Sequence, residues 1–209
     1  MHDEVHLASI TAKDSPLTFA DIQNAPLYRN LATPDLIEGD YATDFILSRL
    51  DTDEGTIQLS SLLHRQPIAL IFGSYTCPPF RRQLDVLSRI YDEYCDRVTF
   101  LLIYIKEAHP EDGWVLIENR DEGIAIIDPT DAGEREAVAA TCVLRTSVRI
   151  PVLVDPVDNS VARAYGAWPD RLYLIDKDGR IVFQSAEGPF GFLPDSLEVA
   201  IRKELGTPD

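Results

Sequence analysis

Two apolar runs dominate the pattern of hydrophobic and polar positions along this chain. Residues Ile68 to Gly73 and Val98 to Ile105 are almost continuously apolar, as expected for strands buried on both faces of a sheet. Between them, apolar side chains recur at roughly helical spacing from Pro79 to Cys95. The order strand, helix, strand predicts an α/β fold built around a parallel pair of strands.

The second half of the chain continues this alternation of short strands and helices. The pattern predicts a helix over Ala132 to Thr146, a strand over Val152 to Val154, a short helix over Ser160 to Tyr165, a hairpin of Leu172 to Asp176 with Arg180 to Gln184, and a last helix over Pro194 to Leu205. The pattern over residues 38–60 predicts an extended segment and a hairpin ahead of the core. We therefore assign residues 38–209 to one domain and residues 1–37 to an N-terminal extension packed on it.

Composition and charge narrow the class of protein. At 209 residues and 45% apolar content the chain fits one domain with a substantial core, and it has no apolar run of about 18 residues that would predict a membrane span. A formal net charge of −16 argues against binding to nucleic acid or to anionic membranes. The acidic first residues lack the apolar segment of a signal peptide, and the three cysteines are too few for a disulfide scaffold. We expect a soluble, cytoplasmic protein without a metal site.

One cysteine, Cys77, stands where the first apolar strand ends and a helix begins. Unpaired amides and the positive end of the helix dipole lie at a helix start, so a thiolate is favoured there. Pro78 and Pro79 suit a helix start, because proline fixes φ and its missing N–H is not needed at that position. These features predict a nucleophilic Cys77 whose pKa lies below the value of about 8.5 for a free thiol. The alternative is a small buried cysteine with no role in chemistry.

The arrangement of strand, cysteine and helix resembles the active site of thioredoxin-like proteins. In that fold a cis-proline before the third core strand supports the cysteine, and Ile150-Pro151 precedes the predicted strand Val152 to Val154. The resemblance implies that Pro151 is cis and lies beside Cys77; the alternative is an ordinary trans proline at the start of a strand. Phe80 occupies the place of the second cysteine of a Cys-x-x-Cys motif, which excludes the dithiol chemistry of an ordinary thioredoxin at this site.

A narrower resemblance links two motifs to the iodothyronine deiodinase family. Residues Phe72 to Phe80 resemble the family's phenylalanine-glycine-serine stretch before a threonine-selenocysteine-proline step, and Ile103 to Trp114 resemble the strand and loop that follow. Gly188-Pro189 before the last helix is also similar. The chain departs from the family at Cys77, which replaces selenocysteine, and at Tyr75, where a second cysteine is common. The membrane anchor typical of vertebrate members is also missing.

The resemblance implies a thiol oxidoreductase in which Cys77 removes iodine from an iodothyronine-like small molecule. It further implies no bound cofactor and an external thiol reductant such as thioredoxin or glutathione. Two alternatives stay open: a peroxiredoxin-like enzyme that reduces peroxides or disulfides, and a redox-sensing module without catalysis. A homodimer is also left open.

Glu107 and His109 follow the second core strand, at the sheet edge where ligands of open α/β sheets gather. We predict that both face the cleft of Cys77, with His109 as a proton donor near neutral pH and Glu107 as the partner that raises its pKa. The alternative is a surface loop whose polar side chains are simply satisfied.

Four further residues are assigned supporting roles on the substrate side of the site. Thr76 can donate a hydrogen bond to the thiolate, and Tyr75 flanks it in the same loop. Trp114 can wall the pocket or pack in the core. Arg171 can stabilise the thiolate or bind a substrate carboxylate, although a surface ion pair is the commoner role for arginine.

The remaining cysteines, Cys95 and Cys142, are candidates for the thiol that resolves an oxidised Cys77. About 18 residues of helix separate Cys77 from Cys95, which corresponds to about 27 Å, whereas a disulfide needs Cα atoms within about 7 Å. A bond between these two cysteines is therefore not expected. Cys142 lies on a separate helix and stays open as a resolving thiol, with a buried apolar role as the alternative.

Overall fold

The computed structural model describes residues 10–50, 55–188 and 190–207, and within these ranges the chain forms one mixed sheet with helices on its flanks. The strands are β1 (Ile46–Arg49), β2 (Thr56–Gln58), β3 (Ile68–Gly73), β4 (Thr99–Tyr104), β5 (Val152–Val154), β6 (Arg171–Ile175) and β7 (Ile181–Gln184). The helices are α1 (Phe19–Asn24), α2 (Pro26–Ala32), α3 (Pro78–Arg82), α4 (Leu84–Tyr94), α5 (Ile117–Asp121), α6 (Ala132–Thr146), α7 (Ser160–Ala164) and α8 (Pro194–Glu204).

The sheet has the order β2-β1-β5-β4-β3-β6-β7, in which β3, β4 and β5 run parallel and the other pairs are antiparallel. All six residues of β3 are buried, as their apolar run predicts. The predicted α/β fold with a central mixed sheet and a hairpin (β1–β2) ahead of the core is confirmed. Residues 1–9, 51–54, 189 and 208–209 lie outside the described ranges.

The register between β3 and β4 positions the site. Gly73, the last residue of β3, pairs with Tyr104, the last residue of β4. Because parallel strands end at the same sheet edge, the loop that carries Cys77 and the loop that carries Glu107 and His109 leave the sheet side by side. The prediction that these two strands are neighbours is confirmed.

The helix predicted from Pro79 to Cys95 is divided in two. The backbone N–H of Gln83 bonds the carbonyl of Phe80, three residues back, so the first turn closes more tightly than an α-helix and the chain starts a second helix at Leu84. Cys77 therefore precedes a helix of only five residues.

The prediction of a cis Pro151 beside Cys77 is wrong. Within the described ranges the cis peptide bond is Trp168–Pro169, directly ahead of β6, and Ile150–Pro151 is not cis. Pro151 precedes β5, which β4 separates from β3, and its carbonyl accepts the N–H of Leu102 in the middle of β4. Pro169 instead precedes the strand that pairs with β3. Strand order decides which proline faces the cysteine, and strand order depends on pairings distant in sequence.

The described part of the N-terminal extension packs on the domain through α1 and α2. Ile22 and Leu31 are buried in the common core, and the backbone N–H of Trp168 donates to the carbonyl of Leu31. Among the described residues, no helix combines the length and the apolar character that crossing a membrane would need.

Candidate active site

Cys77 sits at the junction of β3 and α3, where the sequence places it, but its side chain is only 1% exposed. It is the residue before the first turn of α3, and its backbone N–H donates to the carbonyl of Ser74 at 3.1 Å. Its sulfur donates a hydrogen bond to Oδ2 of Asp170 at 3.0 Å. The cysteine therefore faces the residue that follows the cis peptide bond, on the β6 side of the site.

The pKa of Cys77 is raised well above its usual value, which makes the prediction of an acidic thiol wrong for this structure. Burial is the largest cause, followed by the negative charge and the hydrogen bond of Asp170. Opposing them are a hydrogen bond from the backbone of Phe80 and the charge of Arg81. The two prolines explain the weak opposition: Pro78 and Pro79 have no N–H to offer a thiolate, so this short helix start supplies few donors.

Asp170 is fully buried, and Oδ1 of its carboxyl has no hydrogen-bond partner among the described residues. Burial raises the pKa of this carboxyl to about 6, against the bond from Cys77 and the charge of Arg171. An ideal Cβ on Gly188 would lie 1.8 Å from Oδ1, so only glycine fits where the chain crosses this carboxyl. The sequence prediction did not include Asp170.

Arg171 is 3% exposed, so its guanidinium is not open to a substrate in this structure. This differs from the predicted contact with a substrate carboxylate. Its Nη2 donates to the carbonyl of Ala32 at 2.8 Å and its Nη1 to that of Ser185 at 3.2 Å, whereas Nε is buried and finds no partner within the described ranges. Burial lowers its pKa. Arg171 is the buried cation next to Asp170 and belongs to the interior of the site.

On the opposite side of Cys77, a hydrogen-bond network surrounds Glu107, which is 1% exposed. Oε2 of Glu107 accepts the backbone N–H of Thr76 at 3.0 Å and its hydroxyl at 2.6 Å, and Oε1 accepts the hydroxyl of Tyr104. The backbone N–H of Tyr75 donates in turn to Tyr104. Burial raises the pKa of Glu107. Glu107 thus holds the Cys77 loop from inside and does not face an open cleft, and the Thr76 hydroxyl bonds Glu107 instead of the sulfur.

His109 is half-buried, and Thr76 links it to Glu107, because the Thr76 hydroxyl accepts the backbone N–H of His109 at 3.0 Å. Nδ1 of the ring lies 3.1 Å from the carbonyl of Trp114. Because a carbonyl only accepts, Nδ1 carries the proton and Nε2 is left as an acceptor. Burial lowers the pKa of His109 to about 3, so the ring is neutral at pH 7. The predicted proton donor with a raised pKa is therefore wrong: Glu107 lies beside Thr76 and does not charge the imidazole.

Trp114 and Tyr75 frame the two ends of this network. The Trp114 ring packs edge-on against His109, with centroids 4.6 Å apart, and its Nε1 donates to Thr11 at 2.8 Å. Trp114 is buried, which fits the core-packing alternative. The Tyr75 carbonyl accepts a hydrogen bond from Arg81 at 2.7 Å. Both residues support the loop conformation in this structure.

The other two cysteines differ in environment. Cys95 is an exposed free thiol, and Cys142 is a buried one on α6. Burial, with a smaller contribution from the charge of Glu107, raises the pKa of Cys142 to about 12. Cys142 therefore lies near the Glu107 network but is held as a thiol. Among the described residues no group of three or more metal-binding side chains occurs.

Comparisons with solved structures place the fold in the thioredoxin-like class. A putative protein disulfide isomerase from Bacteroides thetaiotaomicron superposes with a TM-score of 0.60 at 20% identity, over 82% of this chain and 92% of that one. The peroxidoxin BcpB from Mycobacterium tuberculosis superposes with a TM-score of 0.56 at 17% identity, over 79% of this chain and 96% of that one. These likenesses concern the fold, and they confirm the thioredoxin-like prediction.

The sequence comparisons are more specific. The iodothyronine deiodinase family profile matches residues 32–204. Thyroxine 5-deiodinase of Sparus aurata is 37% identical over 134 residues, which is 64% of this chain and 48% of that protein. The human thyroxine 5-deiodinase is 37% identical over 139 residues, 66% of this chain and 44% of that protein. The chain belongs to the iodothyronine deiodinase family, as its motifs predicted, and spans about half the length of these curated relatives.

Proposed function

We propose that the protein is a thiol-dependent reductive dehalogenase that removes iodine from iodothyronine-like phenols, with Cys77 as its nucleophile. The observation that carries the proposal is the position of Cys77, which stands between β3 and α3 at the place of the family's selenocysteine. Membership of the iodothyronine deiodinase family supports the reaction class. The names of the relatives, thyroxine 5-deiodinases, support a substrate with iodinated aromatic rings.

The reaction balances with Cys77 and two external thiols. The Cys77 sulfur attacks the iodine, an S–I bond forms, the C–I bond breaks, and the ring carbon keeps the electron pair and takes up a proton. A first external thiol then attacks the sulfur, releases iodide and leaves a mixed disulfide. A second thiol frees Cys77 and leaves as the oxidised disulfide. Two electrons pass from the two thiols to the new C–H bond, and no bound cofactor is needed.

Glu107 and Thr76 are assigned the role of holding the Cys77 loop in register with β4. His109 is assigned a neutral hydrogen-bonding role: its Nε2 is suited to accept the proton of a phenolic hydroxyl, which orients the iodinated ring. Because Cys77 is 1% exposed, substrate reaches its sulfur only after the covering chain moves aside. An external thiol is the expected reductant. That Cys142 resolves an oxidised Cys77, and that the protein forms a homodimer, stay predictions.

The test is release of iodide from a labelled iodothyronine with a dithiol donor, followed for the wild type, Cys77→Ser and the matched control Cys95→Ser. We expect Cys77→Ser to abolish release and Cys95→Ser to retain it, because Cys95 is an exposed thiol outside the site. Release by Cys77→Ser at the wild-type rate would contradict the proposal. Consumption of hydrogen peroxide without iodide release would favour the peroxidase alternative.

A further inference from the structure

We infer that Asp170 and Cys77 share one proton, and that Asp170 is the base that takes the thiol proton when Cys77 becomes the nucleophile. Oδ2 of Asp170 already accepts the S–H bond at 3.0 Å. The shared proton does not depend on the proposed function; the use of that proton in dehalogenation rests on it.

The surroundings of Cys77 offer the thiol proton few other routes. The sulfur is buried, and the two prolines that follow it remove amide donors that would otherwise stabilise a thiolate. Arg81 is the cation on α3 that acts on the sulfur, but its guanidinium is engaged by the Tyr75 carbonyl and by Glu122. A hydrogen-bonded carboxylate is therefore the acceptor that the geometry provides.

Charge accounting favours a shared proton over a simple loss of the proton to solvent. A thiolate formed beside an ionised Asp170 would place two negative charges about 3 Å apart in a buried site, which is strongly unfavourable. Transfer of the proton to Oδ2 keeps one negative charge on the pair. Arg171, which is buried beside Asp170, supplies the compensating positive charge on β6. Glu187 is the further charged group that acts on Arg171.

The free oxygen of Asp170 is enclosed by the chain. Oδ1 has no partner among the described residues, and Gly188 passes so close that a side chain there would collide with it. This enclosure separates the carboxyl from water and leaves the thiol as its hydrogen-bonding neighbour. It also explains why the motif has glycine at position 188: a larger residue there would displace the Asp170 carboxyl from the Cys77 sulfur.

The proton balance of the dehalogenation step then closes within the pair. The thiol proton moves to Oδ2 of Asp170, and the S–I bond forms as the C–I bond breaks. The ring carbon, which keeps the electron pair of the C–I bond, then receives that proton from the carboxyl. The thiol and aryl iodide become a sulfenyl iodide and an arene. Asp170 ends as a carboxylate, and the site carries one negative charge throughout.

The test is the rate of Cys77 alkylation by iodoacetamide against pH, read by mass spectrometry of the Cys77 peptide, with exposed Cys95 as the internal reference. The wild type should show two rises, one near pH 6 as Asp170 ionises and another at high pH as the second proton leaves. Asp170→Asn should lose the lower rise. At pH 7 its rate should fall about tenfold, since the loss of base assistance outweighs the lower thiol pKa that follows removal of the charge.

Two further variants keep the test decisive. Gly188→Ala retains every charge but displaces the carboxyl, so it should weaken the lower rise even if Asp170→Asn does not fold. Glu136→Gln removes an exposed acid on α6, away from the reference thiol Cys95 in sequence, and should leave both rises in place. A single rise in the wild type, or a rise near pH 6 that survives in Asp170→Asn, would overturn the inference. A two-step profile without iodide release would instead refute the dehalogenase function and leave the proton-sharing pair standing.

Discussion

The two sides of Cys77 differ in how completely their buried carboxyl groups are hydrogen-bonded. On the β4 side both carboxylate oxygens of Glu107 accept hydrogen bonds, from Thr76 and from Tyr104, and the network fixes the loop. On the β6 side, Oδ1 of Asp170 and Nε of Arg171 are buried without a hydrogen-bond partner in the described part of the chain, and the bond from Cys77 to Asp170 joins two acids. A satisfied network stabilises a conformation, whereas a hydrogen bond between two acids lets one proton reside on either partner. The difference assigns positioning to one side and proton chemistry to the other.

The largest expected effect breaks the satisfied side. Glu107→Ala leaves the Thr76 N–H, the Thr76 hydroxyl and the Tyr104 hydroxyl without their buried acceptor, so we expect a loss of about 4 kcal/mol in the free energy of unfolding. Urea denaturation measures it. Glu118→Ala is the control, because it removes a surface carboxylate paired with Arg82 and should cost less than about 1 kcal/mol. Equal costs for the two variants would refute the positioning role.

The next effect concerns stability against pH on the unsatisfied side. The folded carboxyl of Asp170 keeps its proton up to a pKa of about 6, whereas the unfolded one releases it near 3.8. Between these values the folded state binds more protons, so the free energy of unfolding falls as pH rises, by about 3 kcal/mol in all.

Asp170→Asn removes this fall, and the difference between wild type and variant cancels the pH dependence of Asp155 and His109. The variant should therefore gain stability relative to the wild type as pH rises from 4 to 6, while its Cys77 reacts more slowly. Urea denaturation at four pH values between 4 and 7 measures the difference. A difference that stays constant with pH would contradict the buried, proton-holding carboxyl.

A smaller effect is expected at His109, which belongs to the satisfied side but reaches towards the surface. His109→Gln should lower kcat/KM about tenfold by loss of orientation, equally at every pH from 6 to 8, because the ring is neutral throughout. The ring resonances of His109, assigned by comparison with the variant, should not shift over that range in NMR spectra. A titration of these resonances near neutral pH would restore the proton-donor role.

The smallest effect is expected at Cys142, which tests whether resolution is internal. Its pKa of about 12 and its burial on α6 disfavour attack on an oxidised Cys77. Cys142→Ala should keep turnover with an external dithiol within about twofold and cost about 1 kcal/mol of stability. Turnover that collapses with folding intact would identify Cys142 as the resolving thiol.

The sequence predicted those features that depend on neighbouring residues. The bounds of α6 and β5 agree with the pattern, and the place of Cys77 follows from the strand and helix on either side of it. The two motifs identified the family. In each case the periodicity or motif is contained within one short segment of the chain.

The features that sequence reasoning missed depend on pairings between distant segments. Asp170 is 93 positions from Cys77, and only the pairing of β3 with β6 brings the two together. The same pairing selects Pro169 over Pro151 as the proline at the site. The acidic thiol was inferred from the helix start alone, without the burial and the neighbouring carboxyl that reverse the direction of the shift. One signal was available in the sequence: Asp170 directly follows a proline and lies two positions ahead of the strand predicted from Leu172.

The most direct measurement of the central claim is a single turnover without a reductant. Protein in excess is mixed with a labelled iodothyronine, and the deiodinated product and the free Cys77 thiol are counted together. We expect each product molecule formed to consume one Cys77 thiol, and dithiothreitol to restore the thiol and release the iodide. Product formed while Cys77 stays fully open to alkylation would contradict the account.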